Sequence, residues 1–377
     1  MINIPNMLMV GAGCKADGKT TFTCSLIEKF SSQQDIVGVK ISTIDSVNES
    51  HHPDVTRVGK NNSPSRHYYI TEEKERTGHT DTARMLAAGA KKVLWLQALN
   101  THLQEGISAL VEYFDHETVS ICESNRARRI IAPGAFVMLR GDQGASWKPS
   151  AQEVVEYVDR TVVSDGSKFY IDFNDIQLLD RRWVVRMPAT AIILAGGNST
   201  RMGQDKNMLP INERPMIEHI YKQLSPYFSQ IIISANDEAR YSFVDAPVIK
   251  DEVIDKGPLM GIASALRASI NEVNFVIACD IPEIDTSLVR AMLRQAGDYD
   301  AVVPKVGLSH YEPLFAVYSK KALPLLDQAL RSGNYGIVNA LSSFNVNYID
   351  LSNRQFENIN TKDDYQKFIK ENTNVGT

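Results

Sequence analysis

Cysteine is scarce in this sequence: Cys14, Cys24, Cys122 and Cys279 are the only four in 377 residues, and no two stand at a metal-binding spacing. That excludes a disulfide-stapled scaffold and predicts ordinary reduced thiols, as in a cytoplasmic enzyme. Long apolar runs are missing as well. The longest are strand-sized, so no membrane span is expected. The opening MINIPNMLMVGAG puts no basic stretch before its apolar residues and does not read as a signal peptide. Nor is there an excess of positive charge. With 40 Lys and Arg against 45 Asp and Glu, the net charge of -5 gives no general attraction for nucleic acid or a membrane surface. Any phosphate binding must therefore be local. What remains, 43% hydrophobic and 23% charged, is the composition of a soluble globular protein. At roughly 150 residues per domain the length predicts two domains.

Apolar periodicity breaks the chain into two αβ alternations. In the first, strands are expected over 7–10, 36–41, 93–96, 119–122 and 136–139, and helices over 22–30, 82–86 and 103–114. Strand-like runs over 169–173 and 183–185 read as a hairpin, and a polar tract fills 42–78. The pattern restarts near Met187-Pro188, which sets the expected domains at 1–187 and 188–377. The second half predicts strands at TAIIL and over 231–234, 275–279, 301–303 and 315–318. Helices are expected between and after them, over 216–224, 259–270, 286–295, 320–330 and 363–370. Strands and helices alternating at these lengths predict α/β domains, each a largely parallel sheet covered on both faces.

Two glycine-rich loops each follow an apolar strand, and their spacings differ. Gly13-Cys14-Lys15-Ala16-Asp17-Gly18-Lys19-Thr20, followed by Thr21, matches G-x-x-x-x-G-K-[ST] between a strand and a helix. Backbone N–H groups of such a P-loop cradle phosphate, Lys19 reaches the outer phosphates and Thr20 ligates magnesium. The plain alternative is a turn whose glycines serve geometry alone. Asp17 is at odds with the first reading, because a carboxylate opposes phosphate, so it either points outward or weakens affinity. Further on, HTDTARMLAAGAKKVLWLQA resembles the D-T-x-R-x-x-x-A-G-A stretch of the molybdopterin-guanine dinucleotide accessory GTP-binding proteins. Asp81, Thr82, Arg84, Ala88, Gly89 and Ala90 hold those positions. The resemblance covers roughly 5–140, implies a P-loop NTPase-like fold and puts Glu123 near the metal. It departs at Val39-Lys40-Ile41, where the family's histidine is missing, and His51 and His52 are expected to be solvated loop residues.

The second loop, LAGGNSTRMGQDK from Leu194 to Lys206, has no G-K-[ST]. Gly196 and Gly197 let backbone come close to a base and a triphosphate, while Arg201 and Lys206 can neutralise phosphate charge. The string resembles molybdenum cofactor guanylyltransferase. Four later segments carry the same resemblance: VIKDEVIDKGPLMG with Asp251, FVIACDIP with Asp280, HYEPLFAVY, and NINTKDDY. It spans roughly 190–370 and implies a Rossmann-like nucleotidyltransferase domain, three-layered α/β/α like the first. By this resemblance Leu194, Ala195, Gly196, Lys206, Asp251 and Asp280 contact GTP, Asp280 carries Mg²⁺, and Arg201, Lys206 and Asp280 are the catalytic set. Ser234 stands where some relatives have asparagine. Asn360 and Thr361 divide evenly between a substrate contact and a helix cap, since Thr361 and Asp364 form a capping-box pattern.

The reading is then a fused pair: an accessory GTP-binding domain and a transferase joining GMP from GTP to the terminal phosphate of molybdopterin, with release of pyrophosphate. Its partners would be GTP, the molybdenum cofactor and client molybdoenzymes. Two alternatives stay open. One is a cytidylyltransferase for the same cofactor or a sugar-phosphate nucleotidyltransferase. The other is a nucleotide-switched carrier that delivers cofactor without making it.

Overall fold

The computed structural model describes residues 1–14, 17–44, 56–57, 67–141, 147–196, 205–307, 310–351, 356 and 358–373. Arg201, Gly197, Lys15, His51 and His52 lie outside the described residues, as does most of the polar tract. The chain divides into two compact units, Met1–Val185 and Arg186–Thr377.

The first unit opens with β1 (Ile2–Ala12), which feeds the first loop and α1 (Lys19–Ser31). Then come β2 (Ile36–Ile44), β3 (Thr56–Arg57), β4 (Tyr68–Glu72), α2 (Asp81–Ala87) and β5 (Lys92–Leu99). Helix α3 (Leu103–Val111), β6 (Val119–Glu123), β7 (Ile131–Gly141) and the one-turn α4 (Pro149–Gln152) follow. The unit closes with β8 (Arg160–Ser164), β9 (Phe169–Tyr170), β10 (Ile176–Leu179) and β11 (Arg182–Val185). The main sheet runs β3-β4-β5-β2-β6-β1-β7-β8-β9. From β5 to β8 the strands are parallel, and the antiparallel pairs lie at the edges.

Period-two alternation sends successive side chains to opposite faces of a sheet. Leu8 and Val10 pack with α1 and α2, and Met7 and Met9 pack with α3 and α4. The sheet is therefore covered on both faces. The expected hairpin of 169–173 with 183–185 is corrected: the segment at Phe169 pairs with β8, and β11 pairs with β10. The hairpin turn sits at Asp180 and Arg181, both at positive φ (47° and 63°), in a place where no glycine or asparagine marks it.

The second unit starts with β12 (Met187–Leu194) and a small ribbon, β13 (Pro210–Ile211) with β14 (Arg214–Pro215). It continues through α5 (Met216–Leu224), β15 (Phe228–Ser234), β16 (Val248–Ile249), α6 (Pro258–Ala268), β17 (Val273–Ala278) and α7 (Thr286–Arg294). The last elements are β18 (Ala301–Val306), β19 (His310–Tyr311), β20 (Phe315–Ser319), α8 (Leu323–Arg331), α9 (Ile337–Leu341), β21 (Val346–Asp350) and α10 (Lys362–Thr373). Its sheet order is β16-β15-β12-β17-β20-β18-β19, with β21 on β18. Strands β16 to β17 are parallel, but β20 runs antiparallel to both β17 and β18, so the sheet is mixed rather than largely parallel. Ala191 and Ile193 face a core shared with α5, α7 and α10, while Ile192 faces α6, α8 and α9.

Each unit has its own pair of apolar cores, so we expect a fragment beginning at Arg186 to fold alone. The start matters, because Met187 is buried and its N–H donates to the Tyr227 carbonyl at 2.8 Å. Circular dichroism and a single cooperative melt of 186–377 would check this. An insoluble fragment beside a soluble full-length chain would contradict it.

Candidate functional site

Strand register builds the cleft of the second unit. Leu194 pairs with Ser234 on one side and Ala278 on the other, and Ser234 pairs with Ile249. Two residues beyond this row at the carboxyl edge stand Gly196, Asn236, Asp280 and Asp251. Ligands of open α/β sheets bind in such a crevice. An open cleft of about 550 Å³ occupies it, lined among others by Leu194, Gly196, Lys206, Asp251 and Asp280. That volume falls within the roughly 300–1,000 Å³ usual for small-molecule sites.

The polar groups here are held firmly. Asn236 clamps Asp251, accepting from its N–H at 2.9 Å and donating to its carboxylate at 3.1 Å. Lys206 Nζ donates to Asn360 Oδ1 at 3.1 Å and lies 3.8 Å from Asp280 Oδ2. The Asp280 carbonyl accepts from Ile359 N at 2.8 Å, which draws the NINT segment to the cleft. Burial pushes the Asp280 carboxyl above its ordinary range, and the nearby Lys206 only partly opposes this. The Ala195 carbonyl is already engaged by the Asn207 amide at 2.8 Å and the Tyr241 hydroxyl at 3.1 Å. The Leu194 carbonyl accepts from Cys279 N at 3.2 Å.

Gly196 is informative for what surrounds it. Among the described residues an added Cβ there would meet nothing closer than Ser234 O at 3.9 Å, so none of them enforces the glycine. Gly261, by contrast, is enforced: a Cβ would lie 2.7 Å from Ser234 Oγ. Ser234, at 3% exposed, is buried against it, and the amide beside Asp251 comes from Asn236. The sequence reading missed Asn236, Asn207 and Tyr241. Register counting two residues past Ser234 could have found the first, whereas the others act through tertiary contacts alone. At Asn360 and Thr361 the cap is present, and Asn360 N joins it, donating to the Asp364 carboxylate at 3.0 Å. Thr361 and Asp364 form a reciprocal cap, Thr361 N to the Asp364 carboxylate at 2.7 Å and Asp364 N to Thr361 Oγ1 at 3.1 Å. Asn360 also lines the cleft.

The first unit holds a second polar cleft, about 330 Å³, at the mouth of its glycine loop. Gly18 caps α1 in the left-handed conformation (φ 77°), and a Cβ there would also strike the Gly166 carbonyl at 2.8 Å. Register places Glu123 beside Val10 and Lys40. Its carboxylate, 4% exposed, takes Lys19 Nζ at 3.2 Å and the Thr20 hydroxyl at 3.0 Å. Arg84 donates to Thr21 Oγ1 at 3.0 Å, and Lys40 pairs with Asp81. Burial pulls the Asp81 carboxyl up, but the Lys40 contact and the Thr20 hydroxyl outweigh it and hold it low. Lys148 is pushed down by burial and by the charge of Lys19. Gly13 accepts from Lys148 N through its carbonyl at 2.8 Å.

Asp17 does not point outward. It is 7% exposed, and its carboxylate accepts from Cys14 N at 2.6 Å, consuming one loop donor. Asp17→Asn should therefore tighten nucleotide binding at this loop a few-fold by removing a like charge, as read with a fluorescent GTP analogue. Weaker binding would mean that the carboxylate's main task is to hold the loop's shape.

Comparison with known proteins bears on the second unit. The family described as "MobA-like NTP transferase domain" matches residues 191–345. A probable molybdenum cofactor guanylyltransferase of Pelotomaculum thermopropionicum is 35% identical over 200 residues, half of this chain and 97% of that one. This chain belongs to the molybdenum cofactor guanylyltransferase family. The Vibrio parahaemolyticus guanylyltransferase is 36% identical over 186 residues, covering 47% of this chain and 93% of its own. Among solved structures, "Molybdopterin-guanine dinucleotide biosynthesis protein A" of Archaeoglobus fulgidus is 26% identical, with a TM-score of 0.44, over 49% of this chain and 99% of that one. The guanylyltransferase half is thus a nucleotidyltransferase by descent, and Gly196, Lys206, Asp251 and Asp280 line one cleft in it. No helix among the described residues is long and apolar enough to cross a membrane.

Proposed function

We propose that this chain transfers GMP from GTP to the terminal phosphate of molybdopterin, releasing pyrophosphate, with residues 188–377 as the transferase domain. The observation that carries the reading is the single cleft in which Gly196, Lys206, Asp251 and Asp280 meet at the carboxyl edge of β12 and β17. A glycine at 196 that no described residue requires suits a ligand's approach to the backbone. The Leu194 and Ala195 carbonyls are engaged internally and the Ala195 N–H donates to the Ser234 carbonyl at 3.0 Å, so what the turn offers a base is close approach at Gly196.

The donor set suits a hard divalent ion. Asp280 is a half-buried carboxyl whose partial burial raises it, with the Lys206 ammonium opposing. Mg²⁺ held by Asp280 would screen the triphosphate charge. Lys206, fixed by Asn360, holds an ammonium at the same place. Arg201, by family resemblance, adds a third cation. The attacking molybdopterin phosphate oxygen is already anionic, so alignment with the α-phosphorus is the main requirement and no strong base is needed. A P–O bond forms at the α-phosphorus as the bond to the β-phosphate oxygen breaks, and pyrophosphate carries the charge away.

Residues 1–187 bind a second nucleotide in an accessory role at Gly13, Gly18, Lys19, Thr20 and Thr21, with Thr20 and Glu123 toward a metal. Support comes from Lys19, Lys148 and Arg84 around one small cleft, where an anion relieves the crowding of cations. The deciding test is turnover of GTP against CTP and ATP with molybdenum-loaded molybdopterin. Strong preference for GTP is expected. Equal turnover of CTP would favour the cytidylyltransferase reading, and absence of pyrophosphate release would favour the carrier.

A further inference from the structure

In the first unit, three strands away from the glycine loop, a histidine-rich cluster shares no residue with the lining of the glycine-loop cleft. His67 lies just ahead of β4, His102 ends the short 3₁₀ turn Asn100–His102, and Glu105 opens α3. By the ~4.8 Å strand spacing, β5 is about 14 Å from β1 along the sheet. The family match does not reach these residues.

Local structure brings the three together. His102 and Glu105 are three apart at the start of a helix and so share a face. The antiparallel pairing of Tyr68 with Ala98 brings His67 to the end of β5, where its carbonyl accepts from Leu99 N at 2.9 Å. Helix α3 comes unusually near these strands at Gly106. A Cβ at that position would lie 3.0 Å from Leu96 Cδ1 and 3.3 Å from Tyr68 Cβ. That approach seats the first turn of α3 against His67.

The result gathers three candidate ligands in one place. The two imidazoles stack, with centroids 3.8 Å apart and 15° between planes. One nitrogen from each ring and one Glu105 carboxylate oxygen all lie within 4.8 Å of one another. A tetrahedral ion with bonds of about 2.0–2.1 Å holds its ligands roughly 3.4 Å apart, so the groups must close by up to about 1.4 Å, and one imidazole must turn out of the stack so that both in-plane lone pairs face the same ion. Glu105 is exposed and can supply much of that by rotation. The Thr101 hydroxyl sits 2.9 Å from His102 Nδ1, the kind of outer contact that orients a ligating imidazole. The positive end of the α3 dipole opposes a cation weakly, and the Glu105 carboxylate offsets it.

We infer that His67, His102 and Glu105 form a binding site for a divalent transition metal of zinc type, with a fourth position left to water. Two imidazoles and one carboxylate select such an ion over Mg²⁺, whose preference is for oxygen. Bound there, the ion ties the entry of β4 to the start of α3.

The test is a Zn²⁺ titration of the full chain against a chromophoric chelator, with millimolar Mg²⁺ present to fill the oxygen sites. One Zn²⁺ per chain is expected at this site, with affinity falling at least tenfold in His67→Gln and again in His102→Gln. Co²⁺ should give visible d–d bands of a low-coordinate ion in the wild type that fade in both variants. Glu105→Gln, a change on an exposed side chain, should weaken binding as well and keeps the test open if a histidine variant misfolds. Equal Zn²⁺ binding by wild type and Glu105→Gln together with either histidine variant would overturn the inference, as would no Zn²⁺ binding by the wild type.

Discussion

Asp280→Ala should lower GMP transfer on the order of 10³-fold, the loss expected when a preorganised group at the reacting phosphates is removed. The fold should survive. Asp280 is held to the NINT segment through its backbone carbonyl, which alanine keeps, and its side chain faces the cleft rather than the core. Burial raises the Asp280 carboxyl in the folded chain, so ionising it opposes folding. The sign follows: a carboxyl raised on folding favours the folded state below its folded pKa and disfavours it above. At neutral pH without metal, Asp280→Ala should therefore melt no lower than wild type. Wild-type activity should fall in acid, where protonation of the carboxyl competes with the ion it would hold. Near wild-type turnover in Asp280→Ala with Mg²⁺ present would remove this residue from the site. A lower melting point in EDTA would mean that its pairing with Lys206 outweighs its burial.

Much of this cleft was legible before any coordinates. The apolar runs ending at Leu194 and Ala278 fix two parallel strands, and residues just past a strand's carboxyl end can only sit at the sheet edge. That logic reaches Gly196 and Asp280 and makes Asn236 readable from register, whereas Asp251 follows the two-residue strand Val248–Ile249, too short to expect, and rests on resemblance alone. It fails for Asn207 and Tyr241, which meet the Ala195 carbonyl from separate elements. It also fails at the edges of the sheets. Strand β20 begins like its parallel neighbours, and nothing in its apolar pattern announces that it runs the other way. The hairpin of β10 and β11 escaped because Asp180 and Arg181 adopt positive φ without the usual turn residues. Asp17 shows the same limit for charge: its type suggested repulsion of phosphate, while its hydrogen bond to Cys14 N gives it a part in loop closure.

Lys206→Ala and Lys19→Ala should separate the two glycine loops. Lys206 lies 3.8 Å from Asp280 and is steadied by Asn360, so its ammonium belongs to the transferase cleft. Its loss should reduce GMP transfer about 10²-fold, in the range of one preorganised charge-stabilising donor. Lys19 instead pairs with Glu123 at 3.2 Å, next to the Thr20 hydroxyl, a grouping built for β- and γ-phosphates and a metal. A loop that grips the outer phosphates suits a switch or a hydrolase. A transferase must leave the α-phosphorus open to a bulky pterin. Lys19→Ala should therefore abolish one nucleotide site in a binding titration while leaving transfer in vitro within a few-fold of wild type. Its consequence should appear in delivery of finished cofactor to a client molybdoenzyme. If both substitutions stopped transfer in vitro, the first loop would belong to the catalytic site and the proposed division of labour would fall.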